Sequence, residues 1–227
     1  MTSLASLRDP WLVVLSFLWI LFVIALGEAA RRLGSFSPDV TRKVVHVGVG
    51  FWALPTALWF DSPWWAAACP LTFVLLNAIS YRHRLMAVIE DEGRGSPGTI
   101  YFPLVYAGLI LLLWPLGGRA ASVAGLYAMG FGDAAASVVG RRWGRRRYTI
   151  GGTTKSWEGT AALAAVSFVA ILLGTWAAGL DRPAWIASLG ASLVAAAAEA
   201  PVGRGLDNLT VPLAAALTFW GLERIGS

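Results

Sequence analysis

The segment AASVAGLYAMGFGDAAASVVG at residues 120–140 runs directly into RRWGRRRYTIGGTTKSWEGT at residues 141–160. The first part is an apolar run of about 20 residues, the length a helix needs to cross a bilayer, and it carries a single carboxylate, Asp133. The second part is basic and glycine-containing, and it ends in Lys155 and Glu158 where a further apolar run begins. A carboxylate within a span is costly, so it normally faces a partner, a metal or a wet cavity. The stretch therefore reads as a membrane helix that delivers an acid to a polar loop suited to anions.

Working outward, the rest of the chain has the same apolar character. It is 57% hydrophobic and 14% charged with mean hydropathy +0.64, against a charged share of about 25% in soluble domains. About eight apolar runs could serve as spans, at 11–30, 44–60, 63–80, 98–116, 120–140, 159–179, 184–200 and 206–223. The expected fold is an all-α, polytopic integral membrane helical bundle of about seven to eight transmembrane segments. No internal repeat and no Gly/Ser- or Pro-rich linker divides it, so residues 1–227 are read as a single integral membrane domain. The lone Cys69 excludes an intrachain disulfide and is expected as a small buried apolar residue. The first run is read as a retained span rather than a cleaved leader, on its length and on Arg31-Arg32 behind it.

Lys and Arg gather in alternate loops: Arg31, Arg32, Arg42 and Lys43; then Arg82, Arg84 and Arg94; then Arg141 to Arg147 and Lys155; then Arg204. The intervening loops, around Asp61, Arg119 and Asp181-Arg182, carry little positive charge. The positive-inside rule puts the basic loops in the cytoplasm and both termini outside. The same placement accounts for the net charge of +5 and pI near 9.9 without invoking nucleic acid. The expected location is the cell membrane, multi-pass, with the chemistry on the cytoplasmic side.

Asp133, Ala136, Gly140 and Gly144 fall at i, i+3, i+7 and i+11, one stripe of a helix. Small residues there let another backbone or a flat ligand approach closely. Helix packing in a membrane would explain Gly140 and Gly144 alone; Asp133 is the residue it does not explain. The loop from Tyr148 to Lys155 fails the P-loop pattern, because positions 149 and 154 are Thr rather than Gly. A glycine-rich turn at Gly151-Gly152 could still present N–H groups to phosphate, with Lys155 as a mobile point charge. A helix beginning near Ser156 would turn its positive end the same way. Glu158 is either a first-turn residue complementing the helix dipole or part of the site; a capping box would need Ser or Thr at 155. Arg42 or Lys43 shares a helical face with His46, and Glu199, Asp207 and Asn208 add polar groups near the C-terminus, Asp207 with a helix N-cap as its plainer role.

These residues resemble a family. GD-xx-A-xxx-G-xxx-G at 132–144, KSWEG at 155–159, RKVVH at 42–46, and Glu199 followed by Asp207-Asn208 are similar to the CTP-dependent lipid-alcohol kinases: dolichol kinase, phytol kinase and the CTP-using diacylglycerol kinase. The resemblance implies cytoplasmic nucleotide-binding loops and phosphoryl transfer from CTP to a prenyl alcohol such as phytol, geranylgeraniol or a polyprenol. It implies Asp133, Lys155, Glu158 and Asp207 as catalytic residues. Gly132, Ala136, Gly140, Arg141, Arg142, Gly144, Lys155, Ser156 and Gly159 would bind nucleotide, and Asp133, Glu199 and Asp207 would hold Mg²⁺. Arg42, Lys43, His46 and Asn208 are further candidates, and the hydroxyl's proton acceptor stays open among Asp133, Asp207 and His46. The compact chain is closer in length to phytol kinases than to dolichol kinases.

Two alternatives remain. Phosphatidate cytidylyltransferases share part of the central block, but the chain lacks their C-terminal signature: after Glu199 it has only PVGRGLDN. A small transporter would use Asp133, Glu199 and Asp207 as an ion path, but it often shows two related halves, and these halves do not match.

Overall fold

The computed structural model describes residues 7–34, 38–83, 97–179, 184–203 and 205–226. Arg84, Arg94, Asp181, Arg182 and Arg204, used above for orientation, lie outside the described residues. The elements in order are α1 (Arg8–Gly34), α2 (Pro38–Phe51), α3 (Ala53–Trp59), α4 (Pro63–His83), α5 (Gly98–Leu113) with a 3₁₀ turn at Trp114–Leu116, and α6 (Arg119–Tyr127). A π-helical turn (Ala128–Asp133) leads into α7 (Ala134–Trp143). Strands β1 (Arg147–Ile150) and β2 (Thr153–Ser156) are followed by α8 (Trp157–Ala177), α9 (Trp185–Glu199) and α10 (Asp207–Gly226). All eight apolar runs are helical, and the molecule is a polytopic helical bundle that carries, among the described residues, one short hairpin.

Among the described residues, five helices are long and apolar enough to cross a membrane: Arg8–Gly34, Pro63–His83, Gly98–Leu116, Arg119–Trp143 and Trp157–Ala177. The run at 44–60 is divided between α2 and α3 around Trp52, and α9 has only 15 residues. Length rather than composition thus separates these pieces from the full-length spans.

The helix formed by α6, the π turn and α7 is the axis of the bundle. Every residue of α6 except Arg119 at its start is buried, and Leu126, Met129, Leu109, Ile110, Leu163, Ile171, Val211 and Phe219 are large side chains almost wholly enclosed. Small residues let neighbours approach this axis: a Cβ on Gly125 would stand 2.4 Å from the Pro212 carbonyl of α10, and one on Gly50 would stand 2.9 Å from the Gly130 Cα. The outer faces of α1, α4 and α8 expose Trp11, Leu18, Leu75, Leu173 and Trp176. A bundle dry inside and apolar outside is what a lipid solvent selects.

The bundle has two different ends. At one, Asp9 accepts from the backbone N–H groups of Asp61 and Ser62 at 3.1 and 2.9 Å. Arg119 donates to the carbonyls of Ala57, Phe60 and Asp61 at 2.8, 2.7 and 3.1 Å while lying 4.2 Å above the Trp114 ring. That arginine satisfies the carbonyls left over where α3 ends. Because consecutive helices alternate in direction, the end of α1, the start of α2, the ends of α4, α7 and α9, the hairpin, and the starts of α8 and α10 lie at the other end. Arg31, Arg32, Arg42, Lys43, Arg82, Arg141 to Arg147 and Lys155 belong to it, so the described basic loops do share a side.

Candidate active site

A polar cavity of about 320 Å³ opens at the basic end. Four separated pieces of sequence build it: Arg42 and Lys43 from α2; Asp133, Ala136, Ser137, Gly140 and Arg141 from α7 and the turn before it; Arg147, Thr154, Lys155, Ser156, Gly159 and Thr160 from the hairpin and α8; and Glu199 with Asp207.

Asp133 ends the π turn, a local widening of the helix that often accompanies a functional residue. It is 4% exposed and paired with Lys43. A buried carboxylate and a buried ammonium each need such a partner to stay charged. Lys155 makes the same arrangement with Glu199, pairing with its carboxylate and donating at 2.7 Å to its backbone carbonyl. The cavity therefore stores two lysines and two carboxylates as charge-balanced pairs.

Ala136 and Gly140 form the wall of small residues that the stripe predicts. They pack against the start of α8, where a Cβ on Gly159 would meet the Ala136 carbonyl at 3.0 Å and the Gly140 Cα at 3.3 Å. Close helix packing and an open wall are here the same feature. Ser156 is the N-cap of α8, its hydroxyl accepting from the Gly159 N–H at 3.1 Å.

The stretch read as a phosphate loop is a β-hairpin. Arg147 pairs with Ser156, Tyr148 with Lys155, Thr149 with Thr154 and Ile150 with Thr153. Gly151 and Gly152 make the two-residue turn with φ of +59° and +77°, the two left-handed positions of a type I′ turn. The turn is not part of the cavity lining; a Cβ on Gly151 would stand 2.6 Å from the Pro201 carbonyl. What the hairpin delivers to the cavity is its open end, with Arg147, Thr154, Lys155 and Ser156.

Several expected residues lie elsewhere. Glu158 accepts from the Arg146 N–H at 3.1 Å, bracing the connection into the hairpin. Gly132 faces α8, where a Cβ would meet Ser167 Oγ at 2.0 Å, and one on Gly144 would meet the Gly140 carbonyl at 2.2 Å. Arg142 lies 5.4 Å from the Trp143 ring. Asn208 is buried in the first turn of α10, and His46 is buried and lines a neighbouring groove rather than the cavity. Ser137, Thr154 and Thr160 join the lining without having been singled out from sequence, and of the basic 141–147 loop Arg141 and Arg147 reach it. Asp133, Glu199 and Asp207 line one cavity, but among the described residues no group of three acids, histidines or cysteines is close enough to hold a metal by itself.

Comparison with known proteins bears on this site as a whole. The chain is 34% identical over 213 residues to the phytol kinase of Synechocystis, an alignment covering 92% of this chain and 91% of that protein. It belongs to the phytol and dolichol kinase family. A probable chloroplastic phytol kinase 1 of rice is 30% identical, with 86% of this chain and 67% of the relative covered. Human dolichol kinase is also 30% identical over 84% of this chain, but only 40% of the dolichol kinase is covered. No protein-family profile and no solved structure matches the chain. The cavity of this kinase-family member thus lies in a segment shared along nearly the whole length of the cyanobacterial protein.

Proposed function

We propose that the chain is a membrane-embedded kinase that transfers the γ-phosphate of CTP to the hydroxyl of a prenyl alcohol, and that its residues 1–227 act as one domain. The observation that carries this reading is the convergence of four distant sequence segments on one polar cavity with paired lysines and carboxylates, in a chain of the phytol and dolichol kinase family.

Phosphoryl transfer relies mainly on positioning and on neutralising phosphate charge. Lys155, Lys43, Arg141 and Arg147 supply positive charge around the cavity. Lys43 and Lys155 exchange their carboxylate partners for phosphate oxygens as the nucleotide enters. The open wall at Ala136, Gly140 and Gly159 admits it, and the N-terminus of α8 turns its positive end toward it. Mg²⁺ needs only one or two carboxylates besides phosphate oxygens and water, so the donors fit without a cage of three: Asp133, with Asp207 or Glu199, would hold it. When bound, it supplies charge neutralisation of the transferred phosphate. The basic end is cytoplasmic in this reading, and the favoured acceptor is a short prenol such as phytol or geranylgeraniol.

The test combines purified protein, Mg²⁺ and γ-labelled CTP with a panel of prenols, diacylglycerol and phosphatidate. Label in a prenyl monophosphate, lost on chelation with EDTA, is the expected result. Conversion of phosphatidate to CDP-lipid with labelled pyrophosphate would instead make the chain a cytidylyltransferase.

A further inference from the structure

Beside α2 lies a groove of about 460 Å³ walled by α1, α2, α4 and α5. Ile20, Ile24, Val45, Phe73, Phe102 and Pro103 make it apolar. Its wall on α4 runs from Ala66 to Ser80, about 21 Å at 1.5 Å per residue, on the scale of an extended chain of about four isoprene units. At the deep end, Thr56 Oγ1 meets Tyr106 Oη at 3.1 Å, and Trp52 Nε1 donates to Ser16 Oγ at 3.0 Å. Polar groups there are already mutually satisfied.

The end near the polar cavity is different. Thr41 Oγ1, His46 Nδ1 and Ser80 Oγ all line the groove, and these buried atoms have no hydrogen-bond partner among the described residues. Buried unpaired polar atoms are costly and point to a missing partner. His46 is 4% exposed, with its ring 4.8 Å from that of Phe102. Its carbonyl lies against the π turn, 3.0 Å from where a Cβ on Gly130 would be, so the packing that places Asp133 also places His46. Arg42, one helical turn from His46, lines both the groove and the polar cavity. At the mouth, Glu28 pairs with both Arg31 and Arg32 at 2.7 and 2.6 Å, offsetting one of their two positive charges.

We propose that this groove is the acceptor site, with the isoprenoid tail lying along α4 and α5 and the hydroxyl hydrogen-bonded to His46 at the seam with the polar cavity. This rests on the kinase reading. An amphiphile with one neutral hydroxyl matches a groove that is apolar along its length and has unpartnered hydrogen-bonding atoms at one end.

The test uses the full chain in lipid nanodiscs with a prenol carrying a diazirine on its tail, and cross-links mapped by mass spectrometry. Labelling of Phe73, Leu76 and Pro103 that free prenol displaces and CTP does not is the expected result. Label on the outer faces of α8 and α9 overturns the proposal. So does groove label that prenol fails to displace, which would give the groove to bilayer acyl chains. Turnover is measured on the same preparation: displaceable groove label without any phosphoryl transfer strikes the kinase reading and leaves the lipid site standing. In steady-state assays, His46→Leu and Ala66→Phe should each raise KM for the prenol about tenfold, the effect of losing about 1.4 kcal/mol of binding, with KM for CTP unchanged. An equal rise for both substrates, or no rise in variants that remain folded, sinks it.

Discussion

Lys43 and Asp133 stand 90 positions apart and are both buried, so neither can be removed without stranding the other's charge. Breaking such a pair costs about 3–5 kcal/mol, whereas replacing both members by apolar residues is often neutral. Asp133→Asn should therefore lower both the melting temperature in detergent and the turnover, the latter by about a hundredfold or more if a charge-stabilising contact to the transferred phosphate is lost. Lys43→Met combined with Asp133→Leu should recover the melting temperature without recovering turnover. Recovery of both would show that the pair is structural. Lys155→Ala should weaken CTP more than prenol in kcat/KM, because Lys155 lines the nucleotide cavity and not the groove; an effect confined to the prenol would contradict the assignment. Sequence made the acids and Lys155 visible as charges out of place in an apolar chain. It could not show their partners, since pairing across 90 or 44 residues is decided by how helices dock, not by local spacing.

Elements show where local rules worked and where they were misapplied. The stripe from Asp133 through Gly140 reads correctly because α7 has regular helical periodicity from Ala134 onward. The contact of Gly159 with Ala136 and Gly140 then predicts that Gly159→Val pushes α8 off α7, lowering stability and CTP affinity together. Gly108→Ala on α5, where a new Cβ meets nothing within 4 Å, should be neutral or stabilising by about 0.5–1 kcal/mol. Thermal melts and CTP titrations of the two variants check the contrast; similar behaviour would mean the α7–α8 contact is loose. The hairpin was legible in principle, since Gly151-Gly152 flanked by β-branched residues is a type I′ signal. A phosphate-loop pattern has no place for the hairpin or for Thr154 in the lining. In α5 a proline comes with its own compensation. Pro103 removes the helical donor for the Thr99 carbonyl, and the Asn77 side chain replaces it at 2.7 Å.

For the whole molecule, the two unlike ends make orientation measurable. With Cys69 replaced by Ala, an exposed cysteine at Asp61→Cys should react with an impermeant maleimide on intact cells, and one at Arg145→Cys only in inverted vesicles. The opposite pattern would put the cavity outside. Apolar length and basic-loop alternation made the bundle and its polarity readable, because lipid imposes both directly. The break at Trp52 was not readable, since a helix inside a bundle takes its length from its neighbours. The π turn ties these scales together. An α-helix advances about 100° per residue, and the turn at Ala128–Asp133 is a slip in that count, set between the core-facing half of the central helix and the half that lines the site. Deleting one residue there, such as Ala128, would restore an unbroken ladder of i to i−4 hydrogen bonds and remove the widened turn that ends at Asp133. In this helix, regular winding gives way at the residue that carries its carboxylate into the cavity lining.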